Sequence, residues 1–309
     1  MSPSGPKPRV IVIAGPTASG KTEAGIRLCL QADAEVLSAD SVQVYRRMDV
    51  GSAKPTAAER RAVPHHMIDV AEPDEDMSAA KYADMARPSI EDILDGGKHV
   101  VIVGGTGLYI RALVEGLIQA PSADPLLRRK LKEYEYIQGA GALHERLSEV
   151  DPETAARLHP ADLVRIVRAL EVWELTGTPI SEHHARHKAN PNYEARYVGL
   201  DPGRDELARR IETRVGEMFQ SGLIEETEAL LQRGLSPLLK SLQSPGYKQT
   251  VAYLQGKLTL DQAMEATAKV HRRYARRQRV WFRSVRDMGW YPGPDDIPYD
   301  DLAAWLRNT

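Results

Sequence analysis

The stretch that most constrains this chain is VIVIAGPTASGKT, residues 10 to 22. A short continuous apolar run that ends at glycine is the pattern of a strand buried on both faces, and such strands belong to parallel sheets covered by helices. Gly15, Gly20, Lys21 and Thr22 then fit G-x-x-x-x-G-K-[ST] in the context that gives the motif meaning, with a strand before it and a helix after it. The glycines let backbone amides approach phosphate oxygens, and the helix N-terminus adds a partial positive charge. Lys21 supplies a point charge between phosphates, and the Thr22 hydroxyl suits Mg²⁺. Gly15, Pro16, Thr17, Ala18, Ser19, Gly20, Lys21 and Thr22 are therefore the expected nucleotide- or diphosphate-binding residues, with Mg²⁺ as cofactor and Thr22 as its protein ligand.

The rest of the chain extends the pattern. AEVLSAD, ending at Asp40, KHVVIVGGTGLY and ARYVGLD read as further buried strands, and HMIDV as a weaker one. Helical periodicity covers residues 21 to 30, 78 to 95 and the turn after Gly107. Strands alternating with helices predict a doubly wound parallel α/β sheet like that of the P-loop NTPases. The alternation breaks after APSADP (120 to 125) and resumes at NPNYEARYVGL (190 to 200); the charged, helical stretch between them carries no strand. The expected organisation is a core domain of residues 1–122 and 196–309 with an all-helical insertion domain at 123–195. After Leu200 the chain reads as helical to about Arg286, with Leu207, Ile211, Val215 and Met218 in one apolar stripe and Arg214 off it. The Pro- and Asp-rich tail GWYPGPDDIPYDD reads as irregular, followed by a short terminal helix.

Charge sharpens the functional reading. Net charge is −2, yet Lys269 to Arg286 holds eight Lys and Arg and no acid, which leaves about −10 on the remainder. A concentrated basic segment on an acidic body suggests a polyanionic partner at one place. In helical register Val270, Tyr274, Trp281 and Val285 share a face, so the two aromatics read as core and the arginines as phosphate contacts. A single cysteine, Cys29, excludes an internal disulfide and a cysteine zinc knuckle. His183, His184 and His187 have a metal-like spacing but no carboxylate or thiolate partner nearby, and His65 and His66 read as strand-start or loop residues with satisfied hydrogen bonds. The leader is too short and polar for a signal peptide and no apolar run reaches spanning length, so a cytoplasmic protein with no membrane partner is expected. Asp40 is open between three roles: a Mg²⁺ carboxylate, a general base, or a local cap. No switch motif of the D-x-x-G kind follows the second strand, and no adenine-reading signature is present.

GPTASGKT, SADSVQVYRRMDVGSAKP, HHMIDV, VGGTGLYIRAL, HPADLVRIVRALEV and RRYARRQRVWFR occur in this order, and with them the chain resembles the tRNA dimethylallyltransferases from Val10 to about Arg286. The loop followed by SADSVQVY and GGTGLY is the specific part. The resemblance implies transfer of a dimethylallyl group from dimethylallyl diphosphate to the exocyclic amine of the adenosine 3′-adjacent to the anticodon of tRNA, with release of diphosphate. The loop then holds a diphosphate rather than ATP. By the same resemblance Asp40 is the general base, Thr17 touches the diphosphate and the reacting region, and Arg214 grips the diphosphate. The matching tRNA-contact positions are Asp40, Ser41, Val42, Gln43, Thr106, Arg128, the run Val164, Arg165, Ile166, Val167 and Arg168, and, in the basic segment, Arg276 and Arg277, with PGYKQ (245 to 249) as a further contact region. At Ala161 and Val164 the sequence departs from the family's hydrophilic pattern. The absence of further cysteines marks a bacterial-type chain without a zinc finger, expected to act as a monomer. An isopentenyltransferase of free adenine nucleotide, a P-loop small-molecule kinase, and a non-enzymatic RNA-binding protein with a vestigial loop are the competing readings. The basic segment, the helical insertion and the intact loop with Asp40 weigh against them.

Overall fold

The computed structural model describes residues 7–187 and 191–308. Residues 1–6, which carry most of the polar leader, lie outside the described residues, as do residues 188–190 at the far end of the expected insertion. By internal contacts the chain forms two compact units, Met1–Glu115 with Pro191–Thr309, and Gly116–Asn190.

In the first unit the order is β1 (Arg9–Ala14), α1 (Lys21–Ala32), β2 (Ala34–Ser38), α2 (Ala57–Ala62), β3 (His65–His66), α3 (Ala79–Asp95), β4 (His99–Gly104) and α4 (Gly107–Val114). The second unit contributes α5 (Pro125–Gln138), α6 (Ala142–Val150), α7 (Pro152–Arg157), α8 (Leu163–Thr176) and α9 (Ile180–Arg186). The first unit resumes with β5 (Glu194–Leu200), α10 (Arg204–Gln220), α11 (Leu223–Gln232), α12 (Tyr247–Leu254), α13 (Leu260–Arg283), β6 (Met288–Tyr291) and α14 (Tyr299–Arg307).

The sheet is wholly parallel, in the order β3-β2-β4-β1-β5-β6. Its central strands Val10–Ala14 and Val100–Ile102 are fully buried, as continuous Val and Ile runs require. One face packs on α1 and α14 through Ile11, Ile13, Leu28, Val101, Leu302 and Leu306. The carboxyl ends of β1, β2, β4 and β5 open onto one crevice, the place where parallel sheets hold ligands.

Two expectations need correction. Of HMIDV only His66 is in a strand, the two-residue β3, because Met67 and Asp69 take left-handed backbone (φ 62 and 58) and turn the chain out of the sheet. The tail is irregular only in part: Met288–Tyr291 pairs with Tyr197–Leu200 as the edge strand β6, and bends with one short 3-10 turn follow before α14. Four residues with a glycine among them, ending just before Pro-Gly, give too little pattern to read as a strand.

The second unit has its own core, built on Leu131, Leu143, Leu147, Ile166 and Leu170. Its helix ends are capped by carboxylates: Asp124 accepts from the Leu126 and Leu127 amides, and Asp151 from the Thr154 amide.

Candidate active site

The loop after β1 is closed from behind by β5. A Cβ on Gly15 would lie 2.5 Å from the Leu200 carbonyl oxygen, and Gly15 has φ +152, so only glycine fits. Ala18 holds a left-handed conformation (φ 64), an unusual state for alanine, at the turn of the loop. Lys21 folds back and donates to the Pro16 carbonyl at 2.6 Å. Burial, and then the charge of Arg214, push its ammonium down to about 7 against the pull of Asp40.

A cavity of about 430 Å³ opens beside the loop. Thr17 to Thr22, Asp40, Arg214, His271 and Tyr274 all face it. Asp40 sits just beyond β2. Its Oδ1 accepts from the Val42 amide at 2.8 Å and the Gln43 amide at 3.2 Å. This turn fixes the carboxylate, so Asp40 is also a local cap. Oδ2 accepts no hydrogen bond from the described residues and is the oxygen available to the cavity. Beside it, Thr106 Oγ1 accepts from the Ser41 amide at 3.0 Å, and the Tyr274 phenol lies next to Thr106 and Ser41. Burial pushes that phenol up to about 12, so it stays a neutral donor.

Helix α13 forms the opposite wall. His271, Tyr274 and Gln278 lie at i, i+3 and i+7, on one face. The Gln278 side chain accepts from the Thr17 amide at 2.8 Å and donates to the Gly105 carbonyl at 2.9 Å, tying the phosphate loop to the turn after β4. The helix packs on α10 through Ala268, Ala275, Ile211 and Val215, with Ala18 of the loop against the same cluster. That packing brings Arg214 to the cavity. Burial lowers the Arg214 guanidinium and the His271 imidazole, the latter to about 4 with Arg214 contributing.

A third wall is the loop 49–54. Its Asp49, Val50 and Gly51 amides donate to Glu226 of α11 at 2.7, 2.8 and 3.2 Å, and the Tyr247 hydroxyl donates to the same carboxylate at 2.6 Å. Lys54, buried, bonds Asp49, Asp69 and the Tyr45 carbonyl, each at 2.6 Å.

The sequence relationships fit this geometry. Residues 43–285 match the family model described as IPP transferase. The chain belongs to the IPP transferase family. It is 49% identical over 292 residues to tRNA dimethylallyltransferase 2 of Geotalea uraniireducens, covering 94% of each chain. Among solved structures, the full-length tRNA isopentenylpyrophosphate transferase of Bacillus halodurans matches with a TM-score of 0.69 and 39% identity, over 98% of this chain and 95% of that one. A eukaryotic dimethylallyltransferase, captured acting on tRNA, matches with a TM-score of 0.79 and 27% identity, over 97% of this chain and 77% of that one. The fold is thus the P-loop NTPase-like sheet of the IPP transferases.

Within this IPP transferase, some expected contact residues are engaged elsewhere. Ile166 and Val167 are buried in the core of the helical unit, so their side chains do not reach RNA; this corrects their place in the contact run. Val164 is 81% exposed. Arg128 and Arg168 both bond the fully buried Glu171, Arg128 in a two-pronged pair at 2.8 and 2.8 Å and Arg168 at 2.5 Å. Arg165 pairs with Asp162 at 2.6 Å. The Gln43 amide faces inward, accepting from Ser38 Oγ at 3.0 Å and donating to the Ala53 carbonyl at 3.2 Å. Arg276 and Arg277 are exposed, and Arg277 lies over the Tyr274 ring.

The buried face of α13 is Ala263, Thr267, Ala268, His271, Ala275, Gln278 and Phe282. It is rotated by roughly one residue from the expected one, so Tyr274 is a half-buried wall of the site rather than core. His65 is only half satisfied: Nδ1 bonds the Val63 carbonyl at 2.7 Å, while Nε2 is buried without a partner among the described residues. Sequence reasoning missed Gln278, His271 and Glu226. Their one visible signal was polar residues recurring at helical spacing where a core was expected.

Among the described residues no group of three His, Cys, Asp or Glu could cage a metal ion. No helix is long and apolar enough to cross a membrane.

Proposed function

We propose that this enzyme transfers a dimethylallyl group from dimethylallyl diphosphate to the exocyclic amine of the adenosine 3′-adjacent to the anticodon in tRNA. The observation that carries the reading is that a fixed carboxylate, Asp40, faces the same cavity as the phosphate loop, Lys21 and Arg214. A base and an anion site at one cavity are what displacement at an allylic diphosphate needs. The names of the relatives supply the substrate class.

In the reaction the amine nitrogen attacks the allylic carbon. The carbon–oxygen bond breaks, and its electron pair leaves with the diphosphate. The amine's proton passes to Asp40, whose Oδ1 is already held by two amides so that Oδ2 meets the nucleophile. Lys21, Arg214 and the loop amides neutralise the charge that grows on the leaving group, and Thr17 lies at the reacting end of the loop. The donor set suits Mg²⁺: the Thr22 hydroxyl and the Asp40 carboxylate both line the cavity, and among the described residues no cluster of three acidic, His or Cys side chains cages an ion, the arrangement of an ion held mainly by substrate oxygens and water. When bound, Mg²⁺ would neutralise part of the diphosphate charge, with Thr22 as its ligand.

The target adenosine must leave its stack to reach Asp40. Ser41, Val42, Gln43 and Thr106 then flank the base. Arg165, Arg276 and Arg277 contact phosphates, with Arg128 and Arg168 contributing where their guanidinium edges remain exposed, so the helical unit serves as a grip on the anticodon stem-loop.

The test is mass spectrometry of unmodified tRNA incubated with the purified protein, Mg²⁺ and dimethylallyl diphosphate. A dimethylallyl mass increment on one anticodon-loop adenosine, without ATP, is the expected result. No increment, with ADP formed in a parallel tube supplied with ATP, would overturn the reading in favour of a kinase.

A further inference from the structure

Five buried side-chain polar atoms have no hydrogen-bond partner among the described residues: Ser19 Oγ, Arg47 Nε, His65 Nε2, Arg214 Nε and His271 Nε2. Four of them, all but Arg47, belong to residues that line the cavity beside the phosphate loop. An unsatisfied buried polar group costs about 1–3 kcal/mol, and native structures rarely tolerate it without a ligand or water. Several at one cavity, large enough for far more than one water, point to a polar occupant with many acceptor atoms.

His271 is the least expected member. It is only 6% exposed, and its neighbours on the buried face of α13 include the packing residues Ala268 and Ala275. A core histidine would bond a carbonyl or carboxylate through Nε2. This one does not. It stands beside Arg214, and the loop residue Ala18 packs on the same helix pair. Burial and Arg214 keep the ring neutral, so at neutral pH it offers a single N–H. No carboxylate lies on the face it shares with Tyr274 and Gln278.

Resting on the reading of the cavity as a diphosphate site, we propose that His271 is a further ligand of the diphosphate, donating its Nε2–H to a phosphoryl oxygen beside Arg214. Phosphoryl oxygens at that site only accept, so the contact also fixes the imidazole as its Nε2–H tautomer. A neutral donor next to two cations adds a directed hydrogen bond without further like-charge repulsion.

The experiment uses the full-length protein, Mg²⁺ and inorganic diphosphate, with calorimetry for affinity and thermal unfolding to verify folding. His271→Leu, which keeps bulk but loses the donor, is expected to weaken diphosphate binding on the order of ten- to a hundredfold, the worth of a hydrogen bond to a charged acceptor. His271→Gln, which restores an N–H, is expected to recover most of that loss. In ¹⁵N spectra of labelled histidine, one Nε2–H resonance, absent from His271→Leu, should shift on adding diphosphate. Equal affinity in a folded His271→Leu protein, or an Nε2 without a proton in the complex, would overturn the proposal and leave the diphosphate reading standing. Wild-type protein that does not bind diphosphate at all would overturn both.

Discussion

Gln278 accepts a hydrogen bond from the Thr17 amide at 2.8 Å across 261 residues of sequence. Its amide nitrogen donates to the Gly105 carbonyl at 2.9 Å, and a Cβ on Gly105 would lie 2.1 Å from that nitrogen. The phosphate loop therefore takes its shape partly from a helix near the other end of the chain. Gln278→Leu removes both bonds and leaves a buried amide and carbonyl unpaired. It should lower kcat/KM for the diphosphate substrate by about ten- to a hundredfold, measured by steady-state kinetics. Gln278→Glu keeps the acceptor but not the donor, and should fall between. A Leu variant with wild-type kinetics would show that the loop is shaped without α13.

Glu226 gathers the amides of Asp49, Val50 and Gly51 and the Tyr247 hydroxyl on one carboxylate. Its effect on catalysis is indirect, through a loop whose Gly51, Ser52 and Ala53 line the cavity. Glu226→Ala leaves three amides without an acceptor and frees the loop. The expected signature is a KM increase on the order of tenfold with a smaller change in kcat, since substrate-shaped walls are lost and the reacting groups are not. A change confined to kcat would contradict this assignment.

Asp40 and the arginines of α13 divide the work. Asp40→Ala removes the base and should abolish prenyl transfer while tRNA affinity stays within a few-fold. Arg276→Ala with Arg277→Ala should weaken tRNA binding and flatten its salt dependence, each lost phosphate contact lowering the slope of log K against log salt by about 1. Filter binding at several salt concentrations measures both. Equal loss of affinity in the two sets would dissolve the division.

The parts of this fold that were legible are those where local chemistry has one solution. The β1 run and the loop after it can be little else, and Asp40 stands out as an acid at a strand end. The misread parts depend on partners distant in sequence. α13 buries Ala, Thr, His and Gln, none of which registers as an apolar stripe, so Tyr274 and its more visible neighbours were assigned to the wrong face. β6 is a strand because β5 offers it an edge, not because MGWY favours extended backbone. Arg128 and Arg168 read as tRNA-contact positions; the buried acid that binds them, Glu171, lies 43 and 3 residues away and its burial could not be read from sequence.

Glu171 organises the helical unit. It is fully buried and accepts from Arg128, Arg168 and the Asp124 amide, the last at 2.8 Å. Burial alone would raise its carboxyl, but these bonds outweigh it and hold it below the usual range. Because the folded value lies below the unfolded one, its stabilisation is complete above the unfolded value of about 4.3 and is lost as pH falls through the folded value. Glu171→Gln should destabilise the protein by about 3 kcal/mol at neutral pH, as expected for breaking a buried ion pair. The difference from wild type should shrink on acidification below about pH 4. Urea unfolding followed at several pH values would measure it, and a gap that does not narrow in acid would exclude the ion-pair account.

Lys21 gives the last expectation its sign. Burial and Arg214 bring its ammonium from 10.5 down to about 7. Between those values the unfolded chain holds a proton that the folded chain does not, so this group makes the empty protein more stable as pH rises through that window. Diphosphate reverses the local field. Its charge beside Lys21 raises the ammonium again, and binding above neutral pH must then draw a proton from solvent. At pH 8 the wild-type protein should take up roughly one more proton on binding diphosphate than Lys21→Arg, whose guanidinium never titrates. Calorimetry in buffers of different ionisation enthalpy counts that proton directly, and the comparison cancels the diphosphate's own ionisation. Equal proton uptake by the two proteins would mean that Lys21 is already charged in the empty loop.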